Sequence, residues 1–246
     1  YKVNTLREEL RLLAPEDPHE PDTLDCHPLL REHFGEKLKA ENLNAWREAH
    51  SRLYVYFNVH SEMYPGNLDE MNSLYAAVIH GCQAGRYQEA WDEVYWRRIQ
   101  RGNSYFNIKE LGAIGIDLAL TSGFFEFLWY KPVNELREDT KGFILNQAGF
   151  DLRLLGRLSE AAQPMSTAFD GVVILKDWRN ASIGAIGLSA LHMTIGDGDL
   201  ASKYARQSVE LADRSNDTYC RVATRSLLGD VLHQMGRLTE AEAVFH

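Results

Sequence analysis

The apolar and small residues in the later part of the chain recur in near copies of one motif. The stretches AGRYQEAW, LGRLSEAA and MGRLTEAE each carry a glycine followed five residues later by an alanine, and IGDGDLAS keeps that spacing. A degenerate copy, SGFFEFLW, has Gly123 in phase but Leu128 where alanine is expected. Internal repeats of this length indicate stacked supersecondary units that bury their apolar faces against one another.

The glycines of these motifs predict where each unit turns. They are separated by 38, 33, 40 and 40 residues, and they are Gly85, Gly123, Gly156, Gly196 and Gly236. Each glycine predicts the end of a first helix, because the turn needs a positive φ that only glycine adopts without cost. The acidic residues and alanines that follow predict a second helix, since acids are favourable near the N-terminal end of a helix.

A small residue is also expected in each first helix, seven residues before the turn glycine, where the two helices cross. Gly149, Ser189 and Gly229 satisfy this expectation, whereas Val78 and Ile116 do not. These features resemble the tetratricopeptide repeat over roughly residues 67 to 246. Steps of 40 residues, against a usual period of about 34, are similar to the long arrays of kinesin light chains and bacterial signalling ATPases.

The tetratricopeptide resemblance implies an all-α fold, a right-handed α-solenoid of helix pairs with a concave groove. It implies about five repeats, of which the last is truncated in its second helix. Because the chain begins at Tyr1 and stops inside an apolar-periodic run, we expect it to be a fragment of a longer polypeptide.

Residues 1 to 66 lack the repeat pattern. Two short apolar runs around DPHEP predict a β-hairpin, and PLLREHFGEKLK predicts a helix with Pro28 at its first position. Strand, wing, strand and helix are how a winged-helix domain finishes. From Glu41, the apolar positions of ENLNAWREAHSRLYVYF follow helical spacing. We therefore predict a winged-helix end at 1–40, a helical linker at 41–66 and the array at 67–246.

The stretch LDCHPLLREHF resembles the end of the winged-helix domain in STAND-type NTPases, the NB-ARC and NACHT-like signalling ATPases. In that family a histidine contacts the β-phosphate of bound ADP and holds the closed state, and by position this nucleotide-sensing role falls to His27. Pro28 stands where the eukaryotic motif has aspartate, which puts the capping of the next helix in doubt. The resemblance implies a bacterial parent protein with an upstream NTPase domain in cis, ADP or ATP as its nucleotide, and oligomers when activated.

Composition and charge narrow the classes of partner. A net charge of -9 argues against a nucleic-acid binder, which needs a basic face for phosphates. The most apolar window, residues 113–130, contains Asp117 and Glu126, so a buried helix pair is expected rather than a membrane span. The 3 cysteines are widely spaced and form no disulfide framework, which is typical of a cytoplasmic protein.

No constellation for catalysis is recognisable in the sequence. Cys26, His27 and His33 suggest a metal or thiol site, but neighbouring residues of a strand point to opposite faces, which disfavours both. The phosphate-loop pattern GxxxxGK[ST] does not occur. We therefore expect neither enzymatic activity nor a cofactor or metal in this chain, and assign any ADP or ATP to the upstream domain.

The phase of the turn glycines also predicts which side chains face the groove. Asn, Tyr, Arg and His in a concave surface suit a protein, peptide or small-molecule ligand, whereas the alternative for each is a solvated helix face. No lysine occurs at these positions, which disfavours the carboxylate clamp of co-chaperone tetratricopeptide domains. The candidates are Asn72, Tyr75, Gln83, Asp117, Thr121, Asn146, Phe150, Arg153, Ile186, Met193, Asp230, His233 and Gln234.

Two functions are consistent with these observations. The first is the sensor region of a bacterial STAND signalling ATPase, in which a ligand of the array biases a switch between ADP-closed and ATP-open states. The second is a free-standing adaptor or scaffold that joins other proteins without a nucleotide switch. A phosphate loop upstream of residue 1 in the parent sequence would favour the first function.

Overall fold

A computed structural model describes residues 27 to 245 together with Arg7 and Leu13. The predicted β-hairpin of the winged-helix end lies outside the described residues, and the division into three domains remains a prediction. The elements, in chain order, are α1 (Pro28–Glu41), α2 (Leu43–His60), α3 (Leu68–Gln83), α4 (Tyr87–Glu89), a π-helix (Ala90–Ile99), a 3-10 turn (Gly102–Ser104), α5 (Phe106–Lys109), α6 (Ile114–Ser122), β1 (Phe125–Phe127), β2 (Lys131–Pro132), α7 (Glu138–Leu154), α8 (Leu158–Ile174), α9 (Trp178–Ile195), α10 (Gly198–Ser215), α11 (Thr218–Gln234) and α12 (Leu238–Phe245).

The last six helices form three consecutive pairs, in which each helix packs on the next. The turns inside the pairs lie at Gly156, Gly196 and Gly236, whose φ angles are +74°, +91° and +75°. Gly85, at the end of α3, also has a positive φ, so the predicted turn is confirmed at four of the glycines. The described residues thus form an all-α solenoid of tetratricopeptide-like helix pairs.

Three of the repeat helices begin with an aspartate N-cap, a feature that the glycine pattern does not predict. Asp177, Asp197 and Asp217 precede α9, α10 and α11, and each carboxylate accepts a hydrogen bond from the backbone N–H three residues later. Aspartate at this position satisfies one of the otherwise unpaired first N–H groups of a helix. The residues before Asp177 and Asp217, Lys176 and Asn216, adopt positive φ without being glycine.

Close crossing of the paired helices depends on small residues. Ser189 donates a hydrogen bond of 2.8 Å to the carbonyl of Ala201, and a Cβ on Gly149 would lie 3.3 Å from the backbone nitrogen of Met165. In the first pair the small residue is Gly81, where a Cβ would come within 2.7 Å of the Cβ of Ala90. The crossing expected at Val78 is therefore displaced by almost one helical turn.

The second predicted repeat is interrupted. Gly123 has a φ of -63°, so the predicted positive-φ turn is wrong here, and the chain continues as the antiparallel strands β1 and β2 rather than as a second helix. Phe125 pairs with Pro132 and Phe127 with Lys131. Aromatic residues favour strands, which explains this departure from the repeat.

Helix α2 packs against α3. Arg98 of the π-helix links the end of α2 to the first helix pair by hydrogen bonds. Arg98 is only 5% exposed, and its guanidinium donates to the carbonyls of Asn58, Ser61 and Glu62 at 2.9, 3.0 and 2.7 Å. The last carbonyls of a helix lack partners within that helix. Arg98 therefore satisfies the end of α2 and holds the following loop against the π-helix.

Replacing Arg98 by alanine should lower the free energy of unfolding by about 3 kcal/mol, because several partly buried carbonyls lose their donor at once. Urea or thermal denaturation of purified variants measures this loss. Arg97→Ala is the matched control, since the Arg97 side chain is exposed, and it should change stability by less than about 0.5 kcal/mol. Equal effects of the two substitutions would contradict the role given to Arg98.

Candidate functional site

Three of the predicted groove residues lie on one side of α7. Asn146 and Phe150 are exposed and Arg153 is half-buried, and their spacing of four and three residues places them on the same helix face. The guanidinium carbon of Arg153 lies 5.8 Å from the centre of the Phe150 ring. These residues form one continuous surface of apolar, amide and cationic character.

The same face recurs on the next two first helices. Phe150, Ala190 and Asp230 each lie six residues before a turn glycine, so they occupy equivalent positions of α7, α9 and α11. Ile183 lies seven residues before Ala190 and is 42% exposed, which adds an apolar group that the sequence analysis missed. We call this shared face of α7, α9 and α11 the concave face, after the groove that the repeat predicts.

A pocket of about 300 Å³ opens between α9 and α11. Its apolar wall consists of residues of both helices, and its polar groups are a hydroxyl, a carboxylate and an amide. It thereby brings together Met193, Asp230 and Gln234, three of the predicted groove residues. The pocket is lined by Ala190, Met193, Thr194, Leu227, Asp230, Val231 and Gln234.

Other predicted residues lie outside this pocket. Ile186 is half-buried on α9 and His233 is exposed on α11. Asn72 is exposed on α3, and Gln83, at the end of that helix, lines a separate pocket of about 420 Å³ beside α1 and α2. The binding roles of these residues remain predictions.

Tyr75, Asp117 and Thr121 are buried, so their predicted exposure to the groove is wrong. The error for Asp117 and Thr121 has a clear source, because their phase was counted from Gly123, which does not form the expected turn. Tyr75 is covered by the segment that contains α5, and its hydroxyl donates a hydrogen bond of 2.6 Å to the Asn107 side chain.

The Asp117 carboxylate is the centre of a buried polar network. It accepts hydrogen bonds from the hydroxyl of Tyr95 at 2.8 Å and from the side-chain amides of Gln100, Asn107 and Gln147 at 2.5, 2.8 and 3.2 Å. Four donors satisfy both carboxylate oxygens, which is the condition under which an anion can be buried. We call Asp117 with these four donors and Asp151 the Asp117 network.

The second carboxyl of this network, that of Asp151, has a raised pKa. Burial, the negative charge of Asp117 and a hydrogen bond to that carboxyl raise the pKa of Asp151 to about 9. Burial also raises the pKa of Asp117, but hydrogen bonds from Asn107, Tyr95 and other neighbours act in the opposite direction. We therefore assign one negative charge to Asp117 and a proton to Asp151, which the sequence analysis did not single out.

His27 has a structural position at the start of α1. Its Nδ1 accepts a hydrogen bond of 3.3 Å from the backbone N–H of Leu29, and Pro28 opens the helix as predicted. His27 itself thus supplies the helix capping that the departure at Pro28 had put in doubt. The side chain is exposed, and its nucleotide-sensing role remains a prediction.

Comparison with known proteins yields two solved structures; no protein-family model and no curated protein matches the chain. One is a kinesin light chain of Podosopora anserina with nearly identical TPR-like repeats, at 12% identity, a TM-score of 0.46, and coverage of 89% of this chain and 93% of that chain. The other is a point variant of the same protein, at 12% identity, a TM-score of 0.44, and coverage of 88% of this chain and 91% of that chain. The function has to be argued from the site itself.

Within residues 27–245, none of the helices is both apolar enough and long enough to cross a membrane. In the same part of the chain, the His, Cys, Asp and Glu side chains form no group of three or more that could hold a metal ion.

The two aspartates of the Asp117 network should respond in opposite ways to the same isosteric change. Asp117→Asn should cost about 2 kcal/mol or more, because an amide nitrogen would face donors in place of an acceptor oxygen. Asp151→Asn should be neutral at pH 4 and stabilising at pH 8. The folded wild type must bind a proton at Asp151 at pH 8, whereas an asparagine side chain binds none.

The sign follows from proton binding. The folded chain keeps the proton of Asp151 up to about pH 9, whereas an unfolded carboxyl releases it near pH 4. Wild-type stability should therefore fall with rising pH in this window, by up to about 1.4 kcal/mol per pH unit. Urea denaturation of the wild type and both variants at pH 4 and pH 8 measures the effect. A stability of Asp151→Asn that falls with pH as steeply as that of the wild type would refute the assignment.

Proposed function

We propose that this chain is a recognition module that binds an extended segment of a protein partner along the concave face of α7, α9 and α11. The pocket between α9 and α11 carries this proposal, because it combines an apolar wall with a few polar groups in the manner of ligand sites. Phe150 and Ile183, both partly exposed, extend the apolar contact surface away from the pocket. The predicted absence of catalysis is compatible with a protein that acts by binding.

An extended peptide is the ligand form that suits this surface best. Equivalent positions recur on consecutive first helices, so side chains at regular intervals along a peptide can meet successive helices. The peptide gains affinity where its apolar side chains fill pockets, and specificity where polar groups of the wall are paired.

A bulky substitution of a residue that lines the pocket tests this proposal. A random dodecapeptide library displayed on phage should yield peptides that the purified chain retains. Thr194→Trp should abolish their retention, because Thr194 is exposed and lines the pocket. Thr239→Trp, at an exposed position of α12, is the matched control and should leave retention unchanged. Failure to select any peptide, or peptides equally retained by Thr194→Trp, would contradict recognition at this face.

The more specific form of the proposal is a sensor region of a bacterial, cytoplasmic STAND signalling ATPase. In this account, a ligand on the concave face prefers one state of the parent protein and so biases its switch between ADP-closed and ATP-open forms. The ligand-bound form would then oligomerise. Support comes from the order of elements, since His27 and α1 precede the solenoid as the winged-helix end precedes the repeats in that family.

The capping geometry of His27 permits a test that separates structure from nucleotide sensing. In the full-length parent protein, both His27→Asn and His27→Ala should accelerate ADP release, because both remove the imidazole. His27→Asn keeps a side chain that caps a helix well, so only His27→Ala should lower stability, by about 1 kcal/mol. ADP retention equal to the wild type in His27→Asn would exclude the nucleotide-sensing role.

The second candidate is an adaptor or scaffold without a nucleotide switch. One observation favours it, because the hydrogen bond between His27 and the Leu29 backbone gives His27 a structural reason to be present. A phosphate loop in the parent sequence upstream of residue 1 would favour the sensor, and its absence would favour the adaptor.

A further inference from the structure

We infer that the pocket between α9 and α11 selects a basic side chain, a lysine or arginine of the bound peptide. This inference rests on the proposed function and deepens it by naming the chemistry of one recognised residue. Asp230, Met193 and Leu227 carry the argument, because they join a negative charge to an apolar wall in one pocket.

Asp230 is an exposed carboxylate at the rim of the pocket. In the described part of the chain it takes part in none of the ion pairs or hydrogen bonds. Gln234 lies four residues later on the same face of α11 and also lines the pocket. Its side-chain carbonyl provides a second acceptor beside the carboxylate, as a group with several N–H donors requires.

Four arginines of the same helix pairs form ion pairs with other carboxylates. Of the two others, Arg221 lies 3.5 Å from Asp213, and Arg214 lies 5.5 Å from the centre of the Trp178 ring. Asp230 therefore has no guanidinium from these pairs to neutralise it, and a ligand has to supply the positive charge. The pairs are Arg179 with Asp217 at 3.1 Å, Arg225 with Asp213 at 2.9 Å, Arg206 with Glu240 at 2.9 Å and Arg237 with Glu240 at 2.7 Å.

The wall of the pocket suits the stem of a basic side chain. Met193 and Leu227 are half-buried apolar groups from facing helices, and Ala190 adds a small apolar group to the same pocket. Lysine and arginine place their methylene groups on such surfaces while the charged end reaches a polar partner. The flexible thioether of Met193 can adjust to either stem.

The alternatives to a basic side chain fit less well. An aliphatic side chain would fill the apolar part but would cover Asp230 without pairing it, which carries a desolvation cost. An acidic side chain would place a second negative charge beside Asp230. The expected order of preference is therefore lysine or arginine, then norleucine, then glutamate.

The peptides selected on the wild-type chain provide the test. The position of each peptide that faces the pocket should be lysine or arginine, and its replacement by norleucine should weaken binding about 10-fold in a fluorescence-polarisation assay. Asp230→Asn should weaken the parent peptide by a similar factor and leave the norleucine peptide unchanged. Asp170→Asn is the matched control, because it removes an exposed carboxylate of α8 outside the pocket.

Each outcome decides between the two claims. Peptides that lose binding on Thr194→Trp but show no basic position, or that bind Asp230→Asn as tightly as the wild type, would overturn the selection of a basic side chain and leave recognition at the concave face intact. A peptide with glutamate at that position that binds more tightly than the parent peptide would overturn it in the same way. The absence of any peptide that depends on the pocket would overturn both claims.

Discussion

The buried Asp117 carboxylate is the interaction that ties the interrupted repeat to the units on both sides. The repeat lacks its second helix where β1 and β2 intervene, and there a polar network accompanies the apolar cluster that reaches Ile144 of α7. Tyr95 of the π-helix, Asn107 of α5 and Gln147 of α7 all donate to this one carboxylate of α6. This buried polar network thereby connects the first helix pair to the last three.

The same network orients the candidate recognition surface. Gln147 and Asp151 are buried on α7, whereas Asn146 and Phe150 are exposed on the same helix. Fixing the buried side of α7 therefore also fixes the direction in which its exposed side faces. Each helix from α7 to α11 packs on the next, so the position of α7 also determines the positions of α9 and α11. A preformed face loses less conformational freedom when it binds a ligand.

The repeat architecture could be predicted from the sequence because its signals are local. A glycine that must adopt positive φ and a small residue at a helix crossing are each recognisable in one short stretch, and Gly156 and Gly196 behave as expected. The interruption could not be predicted in this way, since Gly123 keeps the phase of the repeat while the aromatic residues after it form strands. Because the phase was counted from Gly123, Asp117 was wrongly predicted to face the groove.

The site was predictable only where the repeat is regular. Asp230 and Gln234 were identified because the last turn glycine is a true one, whereas Asp151 escaped notice because the Asp117 carboxyl that raises its pKa is brought close only by the tertiary fold. Network residues come from segments that are distant in sequence, so no short pattern identifies them.

The most direct measurement is hydrogen–deuterium exchange of the chain with and without a selected peptide. The account predicts that slowed exchange is concentrated in α7, α9 and α11, with little change in the hairpin of β1 and β2 or in α2. Slowed exchange at the hairpin or in α2, with the three first helices unchanged, would contradict recognition on the concave face.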